Sequence, residues 1–217
     1  MGNNLSTTRI SPAIDQLVGA LRALPGVGPK SALRLALFLL ERSPAKAKTL
    51  SQSIDHALDV VRHCERCRNL TQQPLCEICS DTSRQFNTLC VVESPLDVLA
   101  IEQTGHYRGC YFVLLGCLSP MDGIGPEALG LNLLADRLAR EDIIELILAT
   151  NLHAEGEATA HYISQLALRS SAHPKQHSIQ VSRLASGVPM GGELEYLDSH
   201  TLSHALLRRQ QLVPEID

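Results

Sequence analysis

Residues 143–159 read IIELILATNLHAEGEAT, an apolar run followed at once by a cluster of polar side chains. The apolar part has the length and composition of a buried strand. Asn151, His153, Glu155 and Glu157 then occur within seven residues. α/β proteins usually place their functional groups at the carboxyl ends of parallel strands. The stretch therefore predicts an α/β fold with a functional edge here, and it raises the hypothesis of a metal-dependent catalytic site.

The pattern around this stretch is one of alternating strands and helices from Asn87 onward. Short connections between such elements favour a parallel sheet covered by helices. The predicted strands are 88–93, 111–116, 143–150 and 179–185, and the predicted helices are 95–105, 126–141 and 155–168.

The rest of the chain divides by composition. Residues 1–63 predict a helical region, with helices that begin at Ser11-Pro12, near Lys30 and after Pro44. Residues 64–79 contain four cysteines and little apolar material, and 87–184 form the sheet domain. Residues 185–217 predict a glycine-rich loop and a short C-terminal helix. The leucines of that helix are a candidate subunit contact: Leu202, Leu206 and Leu207.

Charge is distributed unevenly along the chain. Residues 1–70 contain ten Lys/Arg and five Asp/Glu, whereas 71–217 contain nine Lys/Arg and eighteen Asp/Glu. This split suggests a basic end that meets a polyanion and an acidic end that meets another partner. With no Trp, three Phe and four Tyr, an aromatic platform for stacking bases is not expected. The N-terminus has no export pattern and the apolar runs are too short to span a bilayer, so we expect a cytoplasmic protein.

The four clustered cysteines follow the spacing C-x2-C-x8-C-x2-C, at Cys64, Cys67, Cys76 and Cys79. Two such pairs complete the tetrahedral thiolate shell of structural zinc. A disulfide pair and a redox-active pair are the alternatives, but one C-x2-C would suffice for redox chemistry. The spacing predicts one structural Zn²⁺ per chain. The remaining three cysteines are expected to be small buried apolar residues: Cys90, Cys110 and Cys117.

A possible DNA-binding hairpin lies in the basic region. The stretch LPGVGPKSA (24–32), between two predicted helices, resembles the helix-hairpin-helix motif of DNA-binding proteins. Gly26 and Gly28 let the backbone approach an anion, and the free N–H groups of the following helix point at it. Lys30 and Arg34 add positive charge on one helix face. An ordinary helix corner is the alternative; as a DNA site, the hairpin would contact phosphates without regard to sequence.

The polar cluster after residue 150 resembles a degenerate form of the Toprim fold. Toprim enzymes have a glutamate on one strand and D-x-D on its neighbour, which hold Mg²⁺. Glu93 and Glu155 are present, but Asn151 and His153 occupy the aspartate positions. Mg²⁺ prefers hard oxygen ligands, so the site has lost much of the charge that would hold it.

Taken in order, the hairpin, the four cysteines, the degenerate Toprim pattern and the loop GVPMGGEL (187–194) resemble the RecR family of bacterial recombination mediators. The resemblance covers about residues 11–212. It implies a non-enzymatic DNA-repair protein, nucleoid-associated in the bacterial cytoplasm, which forms a ring-like dimer or tetramer around DNA and acts with RecO and RecF to load RecA. It also implies that the face formed by Glu93, Asn151, His153 and Glu155 binds a partner. The family usually reads T-N-P-T-V-E-G-E here, and residues 152–154 depart from it.

Two other hypotheses remain at this point. One is an active Mg²⁺-dependent Toprim nuclease or strand-joining enzyme that would use Glu93, Glu155 and either Asp122 or Glu157. It lacks an obvious tyrosine nucleophile near the site, since Tyr107 and Tyr111 precede or enter a strand. The other is a zinc-stabilised scaffold with no DNA role.

Overall fold

The structure, a computed structural model, describes residues 11–170, 178–185, 188, 191 and 193–207. The chain forms two compact units, Met1–Val61 and Arg62–Asp217. Among the helices of the described residues, none combines the length and the apolar character needed to cross a bilayer.

The first unit is helical, as predicted. Its helices are α1 (Pro12–Arg22), α2 (Pro29–Leu37) and α3 (Pro44–Val60), and a wider π-helical turn, Phe38–Arg42, follows α2. Ser11 caps α1, since its hydroxyl accepts the backbone N–H of Ile14 at 3.3 Å. The second helix begins near Lys30 as predicted, and it keeps α geometry to Leu37 before it widens to π geometry over Phe38–Arg42.

This unit buries very little of its apolar surface. Of its described residues, only Ala32 and Ala36 are buried. The larger apolar side chains of α3 are exposed, Leu58 to 77%. The exposed large apolar residues of α2, the π turn and α3 are Leu33, Leu35, Phe38, Leu40, Leu50, Ile54 and Leu58.

The second unit contains a four-stranded, all-parallel sheet. Its strands are β3 (Gln85–Val92), β4 (Gly109–Val113), β5 (Glu145–Ala149) and β6 (Gln180–Arg183), in the order β4-β3-β5-β6. Two very short strands, β1 (Arg62–His63) and β2 (Leu70–Thr71), form an antiparallel hairpin at the four cysteines. The predicted parallel sheet is confirmed.

Helices cover both faces of this sheet, because successive residues of a strand point to opposite sides. On one face, Leu89 and Val91 pack with α6 (Leu131–Arg140) and α7 (Ala154–Ser170). On the other, Cys90 and Val92 pack with α5 (Pro95–Gln103). The remaining helices are α4 (Glu77–Ser80), a 3₁₀ turn (Leu194–Tyr196) and α8 (Ser199–Leu207). Both faces of β3 are buried, which explains the unbroken apolar run in its sequence.

One predicted helix begins later than expected. The sequence predicts helix over 126–141, but α6 begins at Leu131. Gly130 has φ +66°, in the left-handed region, and the preceding turn is closed by the Gly130 N–H bonded to Glu127 O at 2.9 Å. A left-handed residue breaks a right-handed helix, so the helix cannot extend back to Pro126. Residues 186, 187, 189, 190 and 192 of the predicted glycine-rich loop, and residues 208–217 of the predicted C-terminal segment, lie outside the described residues.

Candidate functional site at the carboxyl edge of the sheet

The register of β3 and β5 brings Glu93 and Asn151 together. Val92 at the end of β3 pairs with Ala149 at the end of β5, so the residues that follow the two strands lie side by side. The buried Glu93 carboxylate accepts two hydrogen bonds from Asn151, one from its backbone N–H at 3.0 Å and one from its side-chain amide. Both carboxylate oxygens are thus engaged by one neutral residue.

His153 stands at the start of α7, immediately before Ala154. Its Nδ1 accepts the backbone N–H of Gly156 at 3.0 Å, which satisfies a free donor of the first helical turn. The same Nδ1 lies 3.2 Å from Oε2 of Glu155, and Nε2 lies 3.9 Å from Oε2 of Glu93. The four residues predicted for the Toprim face therefore do lie together.

Gly156 makes this arrangement possible through close packing. A Cβ at this position would overlap the Asn151 carbonyl oxygen and would lie 2.9 Å from Oε1 of Glu93. Both contacts are inside van der Waals distance. Only glycine lets the first turn of α7 approach the strand ends this closely.

The residues required by the Mg²⁺-enzyme hypothesis have other partners. Asp122 accepts the Ser119 hydroxyl at 2.6 Å, and Glu157 pairs with Arg183. The Tyr107 hydroxyl donates to the Cys110 carbonyl at 2.8 Å, and the Tyr111 hydroxyl donates to Glu102 at 2.7 Å. Burial raises the pKa of both tyrosines, so neither is activated as a nucleophile.

The four clustered cysteines form a compact, buried group. Their sulfurs lie within 4.8 Å of one another, and Sγ of Cys67 lies 3.5 Å from Sγ of Cys76. The Cys76 backbone N–H also donates to Sγ of Cys64 at 3.3 Å. None of the seven cysteines is disulfide-bonded. Four convergent thiols without an open position match the ligand set of structural zinc.

Sequence reasoning missed the contacts that join the cysteine group to the sheet. Arg66 makes a two-point ion pair with Glu141, both bonds at 3.1 Å, and its guanidinium stacks over the Phe86 ring at 4.5 Å. The buried Arg137 donates to Glu141 at 3.0 Å and to the Tyr111 carbonyl at 2.8 Å. Arginines beside paired cysteines in C-E-R-C-R-N are the only sequence signal for this junction.

Cys117 was also misplaced by sequence reasoning. Cys90 and Cys110 are buried as predicted, but Cys117 is only half-buried, so that prediction is wrong. The chain turns at Leu115 (φ +64°) and Gly116 (φ +148°), which carries Cys117 out of the strand and toward Glu93. Burial and the nearby carboxylates of Glu93, Glu155 and Asp122 raise the pKa of its thiol.

The hairpin between α1 and α2 places the other predicted residues. Gly26 has φ +78°, which permits the tight turn, and Gly28 precedes Pro29 as the cap of α2 without a side-chain bond. A Cβ at Gly28 would meet no protein atom within 4 Å. Lys30 and Arg34 are exposed and one turn apart; Lys30 lies in the first turn of α2 and Arg34 in its last turn. The N-terminus of α2 is open to an anion, and two exposed cations follow it along the helix.

Comparison with known proteins covers nearly the whole chain. Four family models match, described as RecR helix-hairpin-helix (residues 14–58), RecR four-cysteine zinc finger domain (61–81), Toprim domain (87–185) and RecR C-terminal (187–210). The recombination protein RecR of Saccharophagus degradans is 54% identical over 202 residues, 93% of this chain and 99% of that protein. The recombination protein RecR of Hydrogenovibrio crunogenus is 53% identical over 200 residues, 92% of this chain and 98% of that protein. The chain belongs to the RecR family of recombination proteins.

Proposed function

We propose that this protein is a non-enzymatic DNA-binding mediator that encircles DNA and acts with RecO and RecF to load RecA at gaps during recombinational repair in the cytoplasm. The observation that carries the DNA-binding part is the hairpin of a RecR-family chain, with the open N-terminus of α2 followed by exposed Lys30 in its first turn and exposed Arg34 one turn further along. The proposed domains are 1–63 for this hairpin region, 64–79 for the finger, 87–184 for Toprim and 185–217 for the C-terminal segment.

The chemistry of the hairpin suits a phosphate rather than a base. The backbone N–H groups of Lys30 and Ser31 belong to the first turn of α2 and have no intrahelical partner. The space beside Gly28 is open, so a phosphate oxygen can approach the backbone. Contacts of this kind position DNA without reading its sequence, and they weaken with salt.

Charge reversal tests this interface. In the double variant Lys30→Glu with Arg34→Glu, we expect the affinity for single- and double-stranded DNA to fall at least about tenfold at moderate salt. The control is Lys46→Glu with Lys48→Glu, which changes net charge equally on exposed positions of α3. Fluorescence anisotropy measures both. Equal losses in the two variants would show a general charge effect and contradict a hairpin site.

The buried cysteine group supports one structural zinc per chain. Cys64, Cys67, Cys76 and Cys79 would hold the ion, and the finger has almost no apolar core of its own apart from Ile78 packed beside it. Metal binding would therefore supply much of its folding free energy. Metal analysis of the pure protein, together with thiol titration, checks this assignment.

Self-association into a closed ring is supported by the exposed apolar face of the first unit. Side chains such as Phe38, Ile54 and Leu58 are exposed over two adjoining elements, and large exposed apolar patches mark interaction surfaces. A dimer or tetramer with closed symmetry would cover them. Light scattering measures the mass, and Leu58→Glu should lower it. A monomeric wild type would contradict the ring.

The proposed partner face is the cluster of Glu93, Asn151, His153 and Glu155. Its carboxylates favour a basic partner surface. His153 and Glu155 are exposed at its rim. Pull-down of RecO and RecF with Glu155→Lys, compared with wild type, tests this role. Mg²⁺-dependent DNA cleavage by the pure protein, lost in Glu155→Ala, would contradict the non-enzymatic assignment.

A further inference from the structure

A second group of metal-ligand side chains lies at the carboxyl edge of the sheet, apart from the four-cysteine group. It contains the Glu93 carboxylate, the Cys117 thiol and the His153 imidazole, whose ligand atoms all lie within 4.8 Å of one another. We propose that these three residues bind a divalent transition-metal ion of the zinc type, with a fourth coordination position left open.

The three ligands are brought together by the fold rather than by sequence spacing. Glu93 follows β3, Cys117 follows the turn after β4, and His153 stands at the start of α7. Two of them are held by neighbouring constraints: the Asn151 hydrogen bonds position Glu93, and the left-handed Leu115 and Gly116 direct Cys117. A preformed cluster of this kind loses little conformational entropy on binding.

The distances between the three ligand atoms are slightly longer than in a tetrahedral zinc site, so a bound ion would draw the ligands inward. In a tetrahedral zinc site, bonds of about 2.0–2.3 Å place neighbouring ligand atoms roughly 3.3–3.6 Å apart. Nε2 of His153 already lies 3.9 Å from Oε2 of Glu93. The Cys117 sulfur lies within 4.8 Å of the Glu93 and His153 ligand atoms. Rotation of its half-buried side chain would bring the sulfur to bonding distance from a shared ion. His153 is 47% exposed, which leaves an entry path.

Charge at the cluster also favours a cation. The negative charges of the Glu93, Glu155 and Asp122 carboxylates all interact with the Cys117 side chain. Asn151 supplies hydrogen bonds to Glu93 but no positive charge. A bound dication would balance these anions, and a thiolate ligand would form with it.

Nδ1 of His153 has a hydrogen-bond partner that suits metal binding at Nε2. With the proton on Nε2, Nδ1 accepts the Gly156 N–H. With the proton on Nδ1, that N–H can be donated to Glu155 Oε2 at 3.2 Å, and Nε2 is free to bind metal. A metal-bound histidine commonly donates its other N–H to a carboxylate in this way. Binding would therefore replace the helix-capping hydrogen bond with the one to Glu155.

The ligand types select the metal. Mg²⁺ takes oxygen ligands in octahedral geometry, and a thiolate with an imidazole does not suit it. Sulfur, nitrogen and carboxylate together favour zinc and its neighbours. The proposal is thus distinct from a Toprim magnesium site.

The test uses the full-length protein with its four-cysteine group already zinc-loaded. Zn²⁺ is added against a chromophoric chelator, and Co²⁺ alone is used in parallel to report thiolate-to-metal charge transfer. Wild type should bind a second ion, whereas Cys117→Ser and His153→Ala should weaken that binding at least about 100-fold. Loss of a residue that only hydrogen-bonds to a metal ligand already lowers metal affinity about 10–100-fold, and these two residues are ligands themselves. His161→Ala, an exposed histidine on the same helix, is the matched control and should behave as wild type.

Folding is checked separately, because each variant should retain its first zinc and its circular dichroism spectrum. One zinc per chain in wild type at micromolar free Zn²⁺ would overturn the proposal. So would second-site binding that persists in both variants, or that falls equally in His161→Ala. Failure here would leave DNA binding by Lys30 and Arg34 untouched, since that rests on other residues.

Discussion

The Glu93 carboxylate and the Asn151 amide form a two-point hydrogen-bonded pair at the carboxyl edge of the sheet, with the backbone N–H of Asn151 donating at 3.0 Å and its side chain donating to the other oxygen. These bonds satisfy both oxygens of the buried carboxylate, as buried polar groups require, but they add no positive charge. The pair therefore occupies the place where Toprim enzymes hold Mg²⁺ between two carboxylates, and it holds that edge together through hydrogen bonds.

Asn151→Asp should reverse this relationship. The variant loses the side-chain donor and places two carboxylates in contact, so we expect the free energy of unfolding to fall by about 2–3 kcal/mol. Mg²⁺ in the millimolar range should restore part of the loss, because the new pair can share a cation. Urea denaturation with and without Mg²⁺ measures both effects.

The control for that substitution is Asn132→Asp, at an exposed position of α6 in the same unit. It adds the same charge without touching Glu93. If the control loses as much stability, or if Mg²⁺ fails to distinguish the two variants, the hydrogen-bonded pair does not have the assigned role.

Gly156→Ala should be among the more damaging small substitutions in the chain. The added Cβ would overlap the Asn151 carbonyl oxygen, and that atom is backbone and cannot rotate away. We expect a loss of about 2–3 kcal/mol from the forced shift. Gly125→Ala is the matched control, since a Cβ there meets nothing within 4 Å. Thermal unfolding that ranks the two variants equally would contradict the packing argument.

Much of the fold followed from local pattern, because strand and helix periodicities are properties of short segments. The four sheet strands and the first helices were predicted from such patterns and are confirmed. The order β4-β3-β5-β6 was not predictable, since any apolar run can pair with any other. The late start of α6 depends on the left-handed backbone of Gly130, which the letter G permits but does not require.

The site was predictable in its residue types and less so in its contacts. The resemblance to the Toprim pattern placed Glu93 beside Asn151, but nothing in the sequence placed Cys117 with them. The burial of Arg137 was equally hidden, because charged helix residues are normally exposed. Its carbonyl partners, on Arg66 and Tyr111, are 71 and 26 residues away in sequence. Such contacts are decided by tertiary packing.

Glu141→Gln should weaken the junction between the cysteine finger and the sheet. Glu141 pairs with Arg66 and with the buried Arg137, so its removal leaves a buried guanidinium with less compensation. We expect a loss of about 3 kcal/mol at pH 7, measured by urea denaturation. Glu127→Gln, an exposed carboxylate of the same unit, should change stability very little.

The same variant should change how stability depends on pH. Burial raises the pKa of Glu141, but the hydrogen bond from Arg66 and the attraction of Arg137 outweigh it and hold the pKa below its ordinary value of 4.5. The unfolded state therefore binds more protons in this range, so the contribution is complete above pH 4.5 and is lost as pH falls through the lowered pKa. Below pH 4.5, stability should fall more steeply in wild type than in Glu141→Gln. Parallel curves would contradict this linkage.

Removal of zinc should unfold the finger before the sheet. A strong chelator, or Cys79→Ser, should speed amide exchange across residues 62–80, because the finger has little apolar core without its metal. The strand Gln85–Val92, buried on both faces, should remain protected. Hydrogen exchange with mass spectrometry measures both segments. The experiment is best done in Cys117→Ser, so that any metal at the sheet edge does not contribute.

Two glycines of the hairpin should separate stability from DNA binding. Gly26 has φ +78°, so Gly26→Ala should strain the turn and cost about 1 kcal/mol of stability. Gly28 has an ordinary extended backbone and open space around it, so Gly28→Ala should leave stability nearly unchanged. Its methyl group would instead occupy the space that a phosphate approaching α2 requires, and DNA affinity should fall several-fold. Full DNA affinity in a well-folded Gly28→Ala protein would mean that phosphates approach this hairpin from another side, through Lys30 and Arg34 alone.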